Sequence, residues 1–190
     1  IPGMAFFFLA FTTSYATAAP DAVAGQAKAQ LCAACHGENG VSAIPGTPHL
    51  AAQPQLSIFY QLLQFRDQRR KGGGMEAIAA TLSEQDMRDI AAHYARQPAP
   101  PAQAGGDAAH IARGQQIAQQ QYCSSCHGAQ LQGQKHVPRL SGQSREYFIT
   151  QLRNLRSGAR ADMDGTMASA ARSLTDEEIE AMAAYARSLP

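Results

Sequence analysis

The run Cys32-Ala33-Ala34-Cys35-His36 returns as Cys123-Ser124-Ser125-Cys126-His127, and nothing else in the chain constrains its fold as tightly. C-x-x-C-H is the attachment signature of c-type haem: both thiols form thioethers to the porphyrin vinyl groups, and the histidine ligates the iron. Cysteines three apart share one face of a helical turn, so they reach the same ring. The two motifs use all four cysteines of the chain, which predicts two covalently bound haem c groups. A zinc site built from the same pairs would leave both histidines and the long separation of the pairs unexplained. Two C-x-x-C disulfides would need a redox-active thioredoxin-like context, and no βαβ pattern surrounds them.

A chain of 190 residues is long enough for one domain or two small ones. Ala, Gln and Gly dominate, Trp is absent, and there are only seven Phe and six Tyr. So thin an apolar inventory calls for a core supplied partly by something other than side chains, as a buried haem does. The formal charge of +1 gives no electrostatic reason to expect nucleic acid as a partner.

Residues Gly3 to Ala19 are the one strongly apolar stretch, and Ala16-Thr17-Ala18 has the small-x-small pattern of a signal-peptidase site. Residues 1–20 therefore read as an export signal or, if retained, as a membrane anchor. From Asp21 the pattern is helical. Asp21 is placed to cap a helix running into the first motif. Gly37, Gly40, Pro45, Gly46 and Pro48 then mark an irregular loop. Leu56, Phe59, Tyr60 and Leu63 form the apolar face of a helix over Gln55–Phe65. Gly72-Gly73-Gly74 breaks the chain before Met75. Ser83 with Asp86 opens a closing helix whose apolar face carries Met87, Ile90, Ala91 and Tyr94. The Pro-, Ala- and Gly-rich segment 97–106 cannot continue that helix and reads as a linker. Arg66, Arg69, Arg70 and Lys71 cluster before Met75, either as a docking patch or as a solvated helix end.

Beyond the linker the first half repeats, at offsets of 90 to 92 residues after the haem motifs. Pro48-His49-Leu50 returns as Pro138-Arg139-Leu140, Gln61-Leu62 as Gln151-Leu152, Arg66 as Arg156, and Leu82-Ser83-Glu84 as Leu174-Thr175-Asp176. The expected units are residues 21–96 and 107–190. The repeat also sorts six methionines for the second axial ligand. Met87 falls opposite Ile179 and Met182 opposite Ile90, as interchangeable core residues do. Met4 lies in the apolar N-terminal stretch. Met75 and Met167 stand in register, each in a Gly-containing loop before the last helix. Met163 is the rival in the second half, with Lys71 as its counterpart. His49 and His93 fall opposite Arg139 and Tyr185, so neither is a repeated ligand. A thioether ligand favours reduced iron and raises its potential, which suits electron transfer.

C-A-A-C-H-G, C-S-S-C-H-G, the two P-x-L segments and the paired methionines together resemble cytochrome c4, a dihaem family of two tandem class I cytochrome c domains. The resemblance covers about Asp21 to Pro190. It implies an all-α fold, with three to five helices round each haem. It implies iron ligation by His36 and Met75 in one half and by His127 and Met167 in the other. Pro48 and Pro138 match the family proline whose carbonyl orients the proximal imidazole. The expected work is electron transfer in a bacterial periplasm, from a membrane donor complex toward a terminal oxidase, with no catalytic residue. The alternatives are the cytochrome subunit of a larger dehydrogenase or oxidase and, further off, a dihaem peroxidase.

Overall fold

The computed structural model describes residues 18–103 and 107–190, and every regular element among them is a helix. The expected export or anchor segment, residues 1–20, lies almost wholly outside the described residues. Among those described, no helix is long and apolar enough to cross a membrane. The first half holds α1 (Ala22–His36), α2 (Gln55–Arg66), α3 (Met75–Ala80) and α4 (Glu84–Ala95). The second holds α5 (Ala108–Gln120), α6 (Cys123–His127), α7 (Arg145–Ser157), α8 (Thr166–Arg172) and α9 (Asp176–Ser188).

Local chemistry sets the helix starts. The Asp21 carboxylate accepts the N–H groups of Val23 and Ala24, two of the donors a helix leaves orphaned. Ser83 and Asp86 close a reciprocal capping box on α4, and Thr175 and Glu178 repeat it on α9. Two expectations need correcting. Met75 and Met167 do not lie in loops; they sit in the first turns of α3 and α8, each entered through a left-handed glycine, Gly74 at φ 76° and Gly165 at φ 78°. The helix entering the haem motif is continuous only in the first half. In the second it breaks at Tyr122, which takes φ 54°, and Ser125 holds the new helix by a hydroxyl bond of 2.7 Å to the Tyr122 carbonyl. The counterpart of Ser125 is Ala34, which has no hydroxyl to offer.

The most extensive packing is α1 on α4 and α5 on α9. A glycine sits at each crossing. A Cβ on Gly25 would lie 1.9 Å from the Asp89 carbonyl oxygen, and one on Gly114 would lie 2.1 Å from that of Ala181. The cores formed beneath them are small: Met87, Ile90 and Tyr94 are fully buried in the first, and Ile179 and Ala171 in the second. Beside the first crossing, the buried Asp89 carboxylate accepts the Asp21 N–H at 2.9 Å and the Lys28 ammonium at 2.9 Å.

The halves meet through a two-fold set of hydrogen bonds. The Gln143 side chain accepts the His49 N–H at 2.7 Å and donates to the His49 carbonyl at 3.0 Å. Gln53 does the same to Arg139, at 3.0 and 2.9 Å. Each glutamine thus pairs with the backbone of the opposite half as a neighbouring strand would.

Two predictions follow from this packing. Gly25→Ala or Gly114→Ala forces backbone apart at a crossing, so each should destabilise its half by about 1–3 kcal/mol, measurable as lowered thermal unfolding of the haem protein; an unchanged midpoint would refute the close approach. The second concerns acid. Lys28, then Ser83, hold the Asp86 carboxyl at about 2. This lies below the ordinary value of about 3.9, so the stabilisation is complete above about pH 4 and lost as pH falls through about 2. The side chain is 28% exposed, so the contribution should be about 1–2 kcal/mol. Asp86→Asn should remove that acid-linked slope from denaturant midpoints measured between these pH values.

Candidate haem sites

Each haem motif occupies a helix C-terminus, which brings a histidine inward while leaving one cysteine outside. His36 and His127 are buried at 6% and 3% exposure, whereas Cys35 and Cys126 are exposed and Cys32 and Cys123 half-buried. No two of the four cysteines are paired as a disulfide. The His36 Nδ1 lies 3.0 Å from the Pro48 carbonyl oxygen and the His127 Nδ1 lies 2.8 Å from that of Pro138. A carbonyl only accepts, so Nδ1 carries the proton in each ring and the Nε2 lone pair is left for a metal. Burial lowers the pKa of both imidazoles, with the proline carbonyls opposing, so both rings are neutral at pH 7.

Each core carries a methionine as well as an attachment cysteine. Met75 and Cys32 pack against one buried cluster, and Met167 and Cys123 against the other. A small cavity lined by Gln121, Cys123, Leu152, Met167, Ala170, Ala171, Leu174 and Met182 joins the attachment cysteine to the methionine in the second half. Met163, the rival ligand, is 65% exposed. Met87 and Met182 are buried core residues. Burial pushes the Cys32 thiol up, partly offset by its hydrogen bond to Tyr94, and burial likewise raises Cys123.

These donors fit covalent haem. They supply paired thiols on one turn, a neutral imidazole with its outer nitrogen fixed, and a thioether across an apolar space. A zinc site is a poorer match, since among the described residues no three His, Cys, Asp or Glu side chains converge to hold an ion. The loop between motif and proline is held in the first half by Gly40, whose carbonyl accepts the N–H groups of Leu50 and Ala51 at 2.7 and 3.1 Å.

Three features escaped the sequence. Arg70 belongs to no surface patch: it is buried at 7% exposure, while Arg66 pairs with Asp67 and Glu84 on the outside. His49 and Arg139 proved to be buried and to meet Gln143 and Gln53 across the halves. The one available signal was the repeat itself, because Gln53 and Gln143 stand at the same offset as the prolines.

Comparison with known proteins gives a consistent picture. The family described as "Cytochrome c" matches residues 111–190, and that described as "Cytochrome C oxidase, cbb3-type, subunit III" matches residues 19–93. The chain is 37% identical to cytochrome c4 of Pseudomonas aeruginosa, over 93% of this chain and 92% of that protein. It is 35% identical to a "Thiosulfate dehydrogenase electron acceptor" of Stutzerimonas stutzeri, over 83% of this chain and 78% of that protein. The crystal structure of reduced recombinant cytochrome c4 from Pseudomonas stutzeri superposes with a TM-score of 0.82 at 32% identity, covering 90% of this chain and 100% of that one.

Halves this small depend on burial that their side chains alone do not supply. Replacing Cys32 and Cys35 by Ala, so that one haem is not attached, should therefore melt the helices of the first half. The expected readout is a large loss of helical circular dichroism, and retention of full helicity would show that the core stands without its porphyrin.

Proposed function

Because the chain belongs to the cytochrome c4 family and is a dihaem electron carrier of that kind, we propose that it carries electrons in a periplasmic respiratory chain, toward a terminal oxidase. Cys32 and Cys35 hold one haem and Cys123 and Cys126 the other. His36 with Met75 would ligate one haem iron, and His127 with Met167 the other. Residues 21–96 and 107–190 are the two haem domains, joined by 97–106. The observation that supports this assignment best is the matched placement in both halves of a neutral imidazole, its Nδ1 held by a proline carbonyl, and a methionine on the same core.

The haems supply reversible one-electron iron chemistry when bound. The protein does the rest. Pro48 and Pro138 fix the tautomer and the ring plane of each histidine, and a hydrogen-bonded imidazole is a stronger base toward the metal. Met75 and Met167 would supply the second ligand of each haem, so no substrate would have to bind at iron. Apolar side chains exclude water, which keeps the reorganisation accompanying electron transfer small.

A second proposal has a specific observation behind it. The resemblance to a thiosulfate dehydrogenase electron acceptor favours a dedicated partner of one dehydrogenase, with the catalytic site on another polypeptide. Reduction by such a dehydrogenase at catalytic rates, and not by a quinol-oxidising complex, would select it. For the ligands, Met75→Ala or Met167→Ala should lower the potential of that haem by on the order of 0.1 V or more, within the roughly 0.8 V that axial ligands span. The altered haem should also bind carbon monoxide. Full carbon monoxide binding by both haems of the unaltered reduced protein would overturn the methionine assignment.

A further inference from the structure

The two methionine turns are built differently. The turn from Arg160 to Met167 is two residues longer than the one from Arg70 to Met75, and the added length brings acid. Ala161-Asp162-Met163-Asp164-Gly165-Thr166 stands where the first half has Lys71-Gly72-Gly73-Gly74. The Asp162 carboxylate accepts the Met167 N–H at 2.6 Å and the Ala168 N–H at 3.3 Å, one with each oxygen. Asp164 accepts the Thr166 N–H at 3.0 Å, and the Ser169 N–H reaches the Gly165 carbonyl at 2.9 Å. Each N–H from Thr166 to Ser169 thus has an acceptor. At the far end of the turn the Arg160 N–H is tied to the Asn154 carbonyl of α7 at 3.0 Å. Asp162, itself half-buried, therefore braces the methionine against a turn already anchored on its middle helix.

The first half is entered without such a brace. The Met75 N–H reaches the Gly72 carbonyl at 3.3 Å, and among the described residues no carboxylate accepts it. The side-chain bond that closes this turn runs the other way, from the Gly72 N–H to the Glu76 carboxylate at 3.1 Å, on the surface. Gly72, Gly73 and Gly74 all take positive φ, at 139°, 65° and 76°, and a Cβ on any of them would meet nothing within 4 Å. Fixing three successive glycines costs more conformational entropy than fixing any other three residues, and no packing on their open side offsets it.

A neutral, soft thioether holds ferric iron weakly, so its residence there depends on the backbone that carries it. Both methionines pack on their own core beside an attachment cysteine. What separates them is the bond from Met167 to a carboxylate, which is of the stronger, charge-assisted class. We propose that Asp162 is a positioning residue for the second haem: it latches Met167 in place, whereas Met75, entered through bare glycines, is the ligand that an outside base displaces first. This rests on the methionine assignment above.

The test is an imidazole titration of the full-length ferric haem protein, read by the methionine-to-iron charge-transfer absorption. Met75→Ala leaves that absorption to report Met167 alone, and Met167→Ala leaves it to report Met75 alone. Half-displacement of Met75 should need about tenfold less imidazole than that of Met167, the ratio expected when one charge-assisted bond has to break. Adding Asp162→Ala to Met75→Ala should erase the difference. Asp162→Asn keeps a capping oxygen without the charge and should restore more than half of it on a logarithmic scale. Equal half-displacement of the two methionines overturns the proposal. So does an Asp162→Ala protein that unfolds more easily yet yields Met167 at the unaltered imidazole concentration, since that is the mark of a merely structural cap. If the variants do not assemble, amide hydrogen exchange of the unaltered protein decides: the Met167 and Ala168 N–H groups should exchange at least about tenfold more slowly than that of Met75, and equal rates overturn the latch. An unaltered ferric protein with no methionine absorption would instead defeat the methionine assignment itself, and the latch with it.

Discussion

The rest of the structure depends on how closely two helices cross in each half. At Gly25 and Gly114 the missing Cβ lets α1 settle on α4 and α5 on α9 at backbone distance. That contact fixes where the C-terminal end of the haem-motif segment points. In the first half α1 runs unbroken from the crossing into Cys32, Cys35 and His36, so the glycine acts as a distant anchor for the imidazole. In the second half the break at Tyr122 lets α6 turn independently of α5, and the final aim of His127 is set locally by Ser125 and Pro138. One geometry is reached by two routes, which shows that the carbonyl-to-imidazole bond, and not helix continuity, is the common requirement.

The interface obeys a similar economy. His49 and Arg139 directly follow the prolines that hold the imidazoles, and their backbones are what Gln143 and Gln53 grip. The proline segment of each half is therefore held on two sides, by its own histidine and by the glutamine of the other half. Movement between the halves would be felt at both rings through one residue of backbone. Amide groups suit this better than charges, since they satisfy a buried backbone donor and acceptor together without a desolvated ion.

What the sequence made legible follows from how local each signal is. C-x-x-C-H, Asp21 and Ser83 with Asp86 act over three or four residues, and the helices they mark stand where expected. Burial of Met87, Ile90, Ile179 and Met182 followed from their exchange across the repeat. What escaped was the meaning of polar residues in a chain rich in glutamine and arginine. Gln53 looks like any surface glutamine until its partner is known. Arg70 stands in a run of basic residues that composition alone assigns to solvent, yet a turn through Gln68 at φ 59° rotates it inward. The helical placement of Met75 and Met167 was missed because Gly74 and Gly165, read as breakers, act here as left-handed helix entries.

Duplication also explains why the polar interface can be so specific in a chain with such small cores. When two copies of one unit face each other about an approximate two-fold axis, each favourable contact arises twice, as with Gln53 to Arg139 and Gln143 to His49. Any residue near the axis meets its own counterpart. For an apolar side chain that is helpful, but for an arginine it brings like charge against like charge, as at Arg70 and Arg160. Here Gln61 and Gln151 each accept from both guanidiniums. The asymmetric residues show where the copies have since parted: Tyr147 stands opposite Ser57, and its hydroxyl accepts from Arg70. Burial raises the Tyr147 pKa and the charges of Arg70 and Arg160 outweigh it, so the phenol lies below its ordinary value, on one side of the cluster only. The two halves thereby differ in the polar groups they place at their junction, although they descend from one repeated unit.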